Sequence, residues 1–248
     1  MDHRSEPAGR AYTLAAQEAQ FDPGTPAEFR FKILGPDGQA VTDYRPLHER
    51  ELHLIVVRED LATFSHLHPT REDDGTWHVE LTLPSSGGYR AFADFAPTDD
   101  SQMTLTVDLT APGEWVEQHL PAPSTTARAG AYQVELTGEL AAGIHSEIAF
   151  GVSRYGRAVE LEPYLGALGH LVALRASDLA YLHVHPLEDA SSEDVRFGVE
   201  VPSPGDYRLF LQFQHEHRVH TASFTVQASK ARDHAEISEH RGDHGVDH

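Results

Sequence analysis

Histidines that can bind a metal ion occur in this sequence as two matching sets of three. The first set is His53, His66 and His68, and the second is His170, His183 and His185. Each residue of the second set is numbered 117 higher than its counterpart, a constant offset that indicates an internal repeat. Because neutral imidazole is a good ligand for zinc, copper, nickel and iron, the repeated histidines predict metal chemistry.

Short strands joined by tight hairpins would bring each set together. Arg58-Glu59-Asp60 lies between apolar residues and predicts an antiparallel hairpin whose two-residue loop is Glu59-Asp60. In that register His53 lies opposite His66, and His68 follows two residues along on the same face. Ala176-Ser177 is the corresponding loop of the second copy and sets His170 opposite His183. Directly opposed Cβ atoms are ~4.5 to 5.5 Å apart, so three imidazoles can converge on one ion.

Additional ligands are more numerous near the second set. Gln214-His215-Glu216-His217 follows a predicted strand, and the corresponding part of the first copy has no histidine. We expect His215 to complete the second site, which would then be the better equipped of the two. Near the first set, His48, Glu51 and Asp94 are candidates for a fourth ligand or for a hydrogen-bonding partner of a ligand.

The remainder of the sequence predicts an all-β fold in two copies. Short runs with period-two alternation, such as Phe29, Phe31 and Ile33, are separated by Gly- and Asp-rich turns. About seven such strands in about 100 residues are typical of an immunoglobulin-like β-sandwich. We therefore predict two tandem sandwiches related by duplication, at 11–112 and 130–228, a Pro/Ser/Thr-rich linker at 113–129, and a disordered His- and Asp-rich tail at 229–248.

Composition excludes several classes of function. The formal charge of −20 disfavours nucleic acid as a partner, and no apolar run is long enough for membrane insertion. The chain has no cysteine and two methionines, so thiolate zinc sites, cysteine nucleophiles and thioether copper(I) sites are excluded. No signal peptide is recognisable. We expect an extracytoplasmic protein if a leader was removed from the chain, and a cytoplasmic one otherwise.

Segments of the second copy resemble a poorly characterised family of bacterial extracytoplasmic β-sandwich proteins associated with heavy-metal handling. The segments that carry the resemblance are Glu162–Leu171, His183–Pro186, Pro204–Phe210 and Gln212–His215. The resemblance implies an exported, metal-associated role, with His170, His183, His185 and His215 at the recurring positions. The first copy departs from the pattern, since it has Pro97 where His215 would stand.

These observations lead to three hypotheses. The first is a non-enzymatic protein that binds a divalent transition metal, Cu(II) or Zn(II), for buffering or for delivery to a metal transporter or metallochaperone. The second is a metalloenzyme in which three histidines leave one coordination position open. The third is a structural or protein-binding pair of sandwiches, whose histidines hydrogen-bond to each other or to the backbone.

Overall fold

A computed structural model describes residues 11–182, 184–187 and 194–230 of the chain. These residues form 19 β-strands in four sheets, with no α-helix among them. Accordingly, no helix in the described part of the chain has the length and apolarity needed to cross a membrane. The predicted tail from residue 231 onward lies outside the described residues.

The first domain is a β-sandwich of nine strands. One sheet has the order β1-β2-β7-β6, and the other has the order β3-β8-β4-β5, with β9 also paired to β8. The predicted alternation on β2 is confirmed, because Phe29, Phe31 and Ile33 are fully buried between the sheets. The strands are β1 (Thr13–Ala16), β2 (Ala27–Leu34), β3 (Tyr44–Arg45), β4 (Leu52–Arg58), β5 (Phe64–Leu67), β6 (Thr70–Arg71), β7 (Thr76–Leu81), β8 (Gly87–Pro97) and β9 (Met103–Ala111).

The second domain repeats this arrangement. Its sheets have the orders β10-β11-β12-β17-β16, with β13 paired to β12, and β15-β14-β18-β19. The strands are β10 (Thr126–Ala129), β11 (Tyr132–Thr137), β12 (His145–Arg154), β13 (Arg157–Ala158), β14 (Gly169–Arg175), β15 (Tyr181–Leu182), β16 (Val184–Leu187), β17 (Val195–Glu200), β18 (Gly205–His215) and β19 (Arg218–Ala228). Strand β10 therefore occupies the last four residues of the predicted linker.

Each sandwich is immunoglobulin-like and contains the same buried tyrosine. The hydroxyl of Tyr89 donates to the carbonyl of Ser85 over 2.7 Å, and that of Tyr207 donates to the carbonyl of Ser203 over 2.8 Å. A tyrosine bonded to the backbone a few residues upstream is a recurring feature of immunoglobulin folds. Its presence in both domains agrees with their origin by duplication.

The two domains pack through equivalent faces. Phe64 stacks on Phe210 with ring centroids 4.3 Å apart, and Phe92 packs against Tyr181 at 5.6 Å. Phe64 is the counterpart of Tyr181, and Phe92 is the counterpart of Phe210, so the two contacts are the same contact with the domains exchanged. This is the geometry of an isologous two-fold dimer, realised here within one chain. The interface core is completed by Ile55, Val57, Leu61, Val172, Leu174 and Leu179.

The hairpins that carry the histidines have longer loops than predicted. Strand β4 pairs with β5 so that Ile55 lies opposite His66, and β14 pairs with β15 so that Ala173 lies opposite Leu182. The predicted two-residue loops, which set His53 opposite His66 and His170 opposite His183, are therefore wrong. The physical reason is burial, because the wider loops let Leu61 and Leu179, both with positive φ, turn into the interface core.

A buried ion pair holds the first of these loops. The carboxylate of Asp60 accepts two hydrogen bonds from Arg58, at 2.8 and 2.7 Å, and one each from the backbone amides of Ala62 and Gln118. Gln118 belongs to the predicted linker, so this carboxylate fastens the linker to the first domain. The corresponding pair in the second domain, Arg175 and Asp178, is largely exposed.

Replacing Asp60 with asparagine is expected to lower the free energy of unfolding by about 3 to 5 kcal/mol, because it leaves the buried guanidinium of Arg58 without its counter-charge. Asp178→Asn is the matched control and is expected to cost less than about 1 kcal/mol. Denaturant unfolding of both variants measures the difference. Equal losses would show that burial does not distinguish the two pairs.

Candidate metal centre

The first histidine set converges on one point at the edge of the domain interface. His53 lies on β4, and His66 lies on β5, which leads directly into His68. One nitrogen from each ring lies within 4.8 Å of the other two, a separation at which the three rings can hold a metal ion. The two-residue change of register leaves this convergence intact, since a shift of two residues keeps every side chain on its own face of the sheet.

The second domain contributes one histidine to the same cluster. The ring of His170, from β14, stacks on His53 with centroids 5.4 Å apart and on His66 at 4.7 Å. Because His53 and His170 are equivalent residues, their stacking shows that the two-fold axis relating the domains passes close to these two rings. The Nε2 atoms of His68 and His170 are buried, and no described residue offers either of them a hydrogen bond. We call His53, His66, His68 and His170 the histidine cluster.

Two rings of the cluster are fixed from outside by hydrogen bonds. Nε2 of His53 donates to the carbonyl oxygen of Leu47 over 2.8 Å. Nδ1 of His66 donates over 2.6 Å to Oε1 of Gln212, which reaches across from the second domain on β18. A hydrogen bond of this kind from the far ring nitrogen to a carbonyl or amide oxygen is the usual support of a metal-binding histidine, since it fixes tautomer and orientation.

The hydrogen bonds to Leu47 and Gln212 determine which ring nitrogens of His53 and His66 carry a lone pair inside the cluster. With its proton on Nε2, a neutral His53 has a lone pair on Nδ1, and with its proton on Nδ1, a neutral His66 has a lone pair on Nε2. Those two nitrogens are 2.9 Å apart. Two lone pairs at this distance repel one another, and a proton or a metal ion between the rings relieves the repulsion.

Burial disfavours the proton. The pKa of His66 is lowered to about 3, mainly by burial and further by the neighbouring His53, His68 and His48, against the opposing hydrogen bond of Gln212. Burial likewise lowers the pKa of His53, although the bond to Leu47 opposes it. Burial also lowers the pKa of His68 to about 4, and it lowers the pKa of His170 well below its usual value. The cluster is therefore a set of neutral, electron-donating nitrogens at neutral pH.

The metal-free protein is expected to lose stability as the pH falls from about 7 to 5. An unfolded histidine takes up its proton near pH 6.5, whereas the folded His66, with a pKa of about 3, remains neutral. The contribution of neutral His66 to the free energy of unfolding is therefore fully present above pH 6.5. It decreases below that pH, and the loss for His66 alone is about 2 kcal/mol at pH 5. His170 contributes in the same direction. Urea unfolding at the two pH values measures the loss, and the variant His66→Gln should show a smaller one.

An unusual turn borders the cluster. Leu47 and Arg50 exchange two backbone hydrogen bonds around His48 and Glu49, which both have left-handed backbone angles, with φ of 45° and 67°. Such a turn normally has Asn or Gly at these positions. The turn presents the carbonyl of Leu47 to His53 and places the exposed ring of His48 at 5.6 Å from that of His170.

The structure does not gather the second histidine set in the same way. His183 lies outside the described residues. His185 is exposed on β16, opposite Gly198, because the chain changes sheets directly after β15, earlier than in the first domain. His215 bonds to the hydroxyl of Tyr132 at 2.8 Å, at the far end of β18. The sequence predicts the better-equipped site at the second set. Among the described residues it is instead the first set that forms a cluster.

Some residues around the cluster could not be identified from sequence alone. Gln212 was recognisable only as the counterpart of Asp94, because no motif marks a glutamine that supports a histidine on another domain. His48 and Asp94 were candidates by proximity in sequence. Asp94 lies opposite His53 in the strand register, and its carboxylate accepts hydrogen bonds from Gln102 and Thr104. Glu51 instead pairs with Arg71 at 3.3 Å.

Comparison with solved structures finds two bacterial proteins and a vertebrate receptor among the similar chains. The Escherichia coli adhesin FdeC is 14% identical over 91% of this chain and 66% of its own, with a TM-score of 0.28. Invasin, a bacterial integrin-binding protein, is 12% identical over 88% of this chain and 39% of its own, with a TM-score of 0.26. A marsupial T cell receptor is 13% identical over 86% and 62%, with a TM-score of 0.25. The chain thus spans less than two thirds of each of these structures, and likenesses at this level carry no inference about function.

Comparison with protein families confirms the duplication. No curated protein sequence matches the chain. The family model described as "Domain of unknown function (DUF8832)" matches twice, at residues 7–113 and 126–230. That description names no metal, so the association with heavy metals implied by the resemblance stays a prediction. The two matches together cover most of the chain, which therefore belongs to the DUF8832 family and carries two copies of its domain.

Proposed function

We propose that this protein binds a divalent transition-metal ion, Cu(II) or Zn(II), at the histidine cluster, for buffering or delivery outside the cytoplasm. The observation that carries the proposal is the pair of ring nitrogens of His53 and His66, which face each other at 2.9 Å while both rings donate outward. A cation between them turns a repulsive contact into two coordinate bonds.

The remaining geometry fits such an ion. Histidine nitrogens bind zinc at ~2.0 to 2.1 Å, which sets the ligands of a tetrahedral ion ~3.3 Å apart. The rings of His53 and His66 need to separate by only a few tenths of an ångström to reach that spacing from 2.9 Å, and the ligand nitrogen of His68 lies within 4.8 Å of both. His68 and His170 each offer a buried Nε2 that no described residue bonds. An all-imidazole set with no sulfur ligand favours Zn(II) and Cu(II) over Cu(I).

The surroundings of the cluster support binding over catalysis. The cavity that described residues form beside it has a volume of about 20 Å³, which is room for about one water molecule and not for an organic substrate. The metalloenzyme hypothesis needs an open coordination position next to a substrate pocket. We therefore favour a protein that stores or transfers the ion.

The charge of the chain is consistent with a metal-binding role. A formal charge of −20 raises the concentration of cations near the surface and so speeds their capture. A metal transporter or a metallochaperone is the partner that a delivery role requires. Both the partner and the extracytoplasmic location belong to the proposal.

Equilibrium dialysis against Zn(II) and Cu(II) tests the proposal. The protein for this experiment is the full chain with His234, His240, His244 and His248 replaced by asparagine, which we call the tail-substituted chain. We expect one tightly bound ion per chain, retained when His185 and His215 are both replaced by alanine. Absence of a tightly bound ion, or its loss in that double variant, would contradict the proposal.

A further inference from the structure

We propose that the metal ion reaches the histidine cluster through the small cavity at the domain boundary, where His48 and Asp94 bind it in transit. The inference rests on the proposed function, and it assigns a route and two residues to metal uptake. The cavity is lined by His48, Asp94, Gln102, His170, Tyr181 and Val184. It therefore has an exposed histidine, a carboxylate and one member of the cluster in its wall.

His48 is suited to the first contact with the ion. The residue is exposed, yet its ring lies 5.6 Å from that of His170 and 6.1 Å from that of His53. No other histidine in the described residues combines solvent exposure with ring contacts to the cluster. An ion bound to His48 is thus still partly hydrated and already beside the buried Nε2 of His170, so it can exchange water ligands for imidazoles one at a time.

The backbone holds His48 in this position at a cost. Both His48 and Glu49 have positive φ, and such conformations cost ~1 to 3 kcal/mol each in residues other than glycine. The equivalent turn of the second domain, between Tyr164 and Ala167, has Leu165 and Gly166 at these places. The first domain therefore has an imidazole where its duplicate has a leucine whose side chain is buried.

Asp94 provides negative charge in the wall of the cavity. Its side chain is 7% exposed, and its two oxygens accept hydrogen bonds of 3.1 Å from the Gln102 amide and one of 3.3 Å from Thr104. A carboxylate has about four lone-pair positions, so these bonds orient it without exhausting its capacity to bind a cation. Since described residues give Asp94 only neutral hydrogen-bond donors, its charge is available to a passing ion. The counterpart in the second domain is the neutral Gln212.

Stopped-flow kinetics with Co(II) test the route, because cobalt changes its visible absorption on entering a site of four histidines. The variants are His48→Asn and Asp94→Asn in the tail-substituted chain. Asparagine tolerates the left-handed conformation at position 48 and removes the imidazole. His78→Asn is the matched control, since His78 is a partly exposed histidine of the first domain paired with Glu28.

A residue that binds the ion only in transit changes both rate constants by the same factor. We therefore expect association and dissociation each to slow about tenfold or more in His48→Asn, with the dissociation constant unchanged. Association should slow to a similar extent in Asp94→Asn, and the control should behave as wild type. Unaltered rates in both variants would overturn the route. A weaker dissociation constant with unaltered association would also overturn it, by making these residues permanent ligands. Failure of the wild type to bind Co(II), Zn(II) or Cu(II) would instead contradict the proposed function.

Discussion

Replacing His66 with alanine is expected to weaken Zn(II) binding by at least ~100-fold. The substitution removes one coordinating nitrogen and also the contact with Gln212 that spans the two domains. Loss of a residue that merely supports a metal ligand commonly costs 10 to 100-fold in affinity, so loss of the ligand itself should reach or exceed the upper end of that range. Competition with a chromogenic chelator measures the dissociation constant.

His185→Ala is the matched control for this variant. His185 belongs to the second histidine set and follows the same sequence pattern, but it is exposed on β16 and paired within the other sheet. Its removal should leave the dissociation constant unchanged. If His66→Ala binds zinc as tightly as the wild type while His185→Ala does not, the ion is held elsewhere than at the cluster.

Replacing Phe210 with alanine is expected to lower the free energy of unfolding by about 3 to 5 kcal/mol and to weaken metal binding as well. Phe210 is 2% exposed and stacks on Phe64 at 4.3 Å, so its removal leaves a cavity at the centre of the domain interface. His170 and Gln212 reach the first domain only across this interface. Calorimetry and metal titration of the same preparation measure the two effects.

Phe224→Ala separates the loss of stability from the loss of the interface. Phe224 is 1% exposed and lies in the core of the second sandwich, away from the first domain. Phe224→Ala should lower the free energy of unfolding about as much as Phe210→Ala does. At a temperature where both variants are folded, only Phe210→Ala is expected to bind zinc more weakly. Equal metal affinities would contradict the placement of the site between the domains.

The fold was predictable from sequence because its signals are local. Phe29, Phe31 and Ile33 alternate with polar residues, and this alternation directly reflects which side chains of β2 face the other sheet. The duplication was equally evident from the matching histidine sets. The hairpin register was not evident from the sequence, because the same residues are compatible with a two-residue loop and with a wider one. Burial of Leu61 in the interface decided between the two loops.

The location of the cluster could not be predicted because it depends on how the domains pack. Sequence grouped His170 with His183 and His185, its neighbours in the repeat, whereas the structure stacks it on its own counterpart, His53. A two-fold relation between duplicated domains brings equivalent residues together at the axis, and nothing in either repeat alone reveals that axis. The contact of Gln212 with His66 depends on the same packing of the domains.

The duplication also concealed a difference between the copies. The sequences Leu67-His68-Pro69 and Val184-His185-Pro186 match closely, yet β5 continues to Leu67 while β15 ends at Leu182. The earlier change of sheet carries His185 to the surface. Matching motifs therefore predicted the type of residue at each position, whereas the length of one strand decided which histidine joins a site.

Anomalous diffraction from crystals of the zinc-loaded tail-substituted chain locates the bound metal ion. We predict one strong peak at the zinc absorption edge, located between Nδ1 of His53 and Nε2 of His66 and ~2.0 to 2.1 Å from each. Nε2 of His68 and of His170 should approach the same peak. A peak at His215 or at another surface histidine, with none in the histidine cluster, would contradict the account.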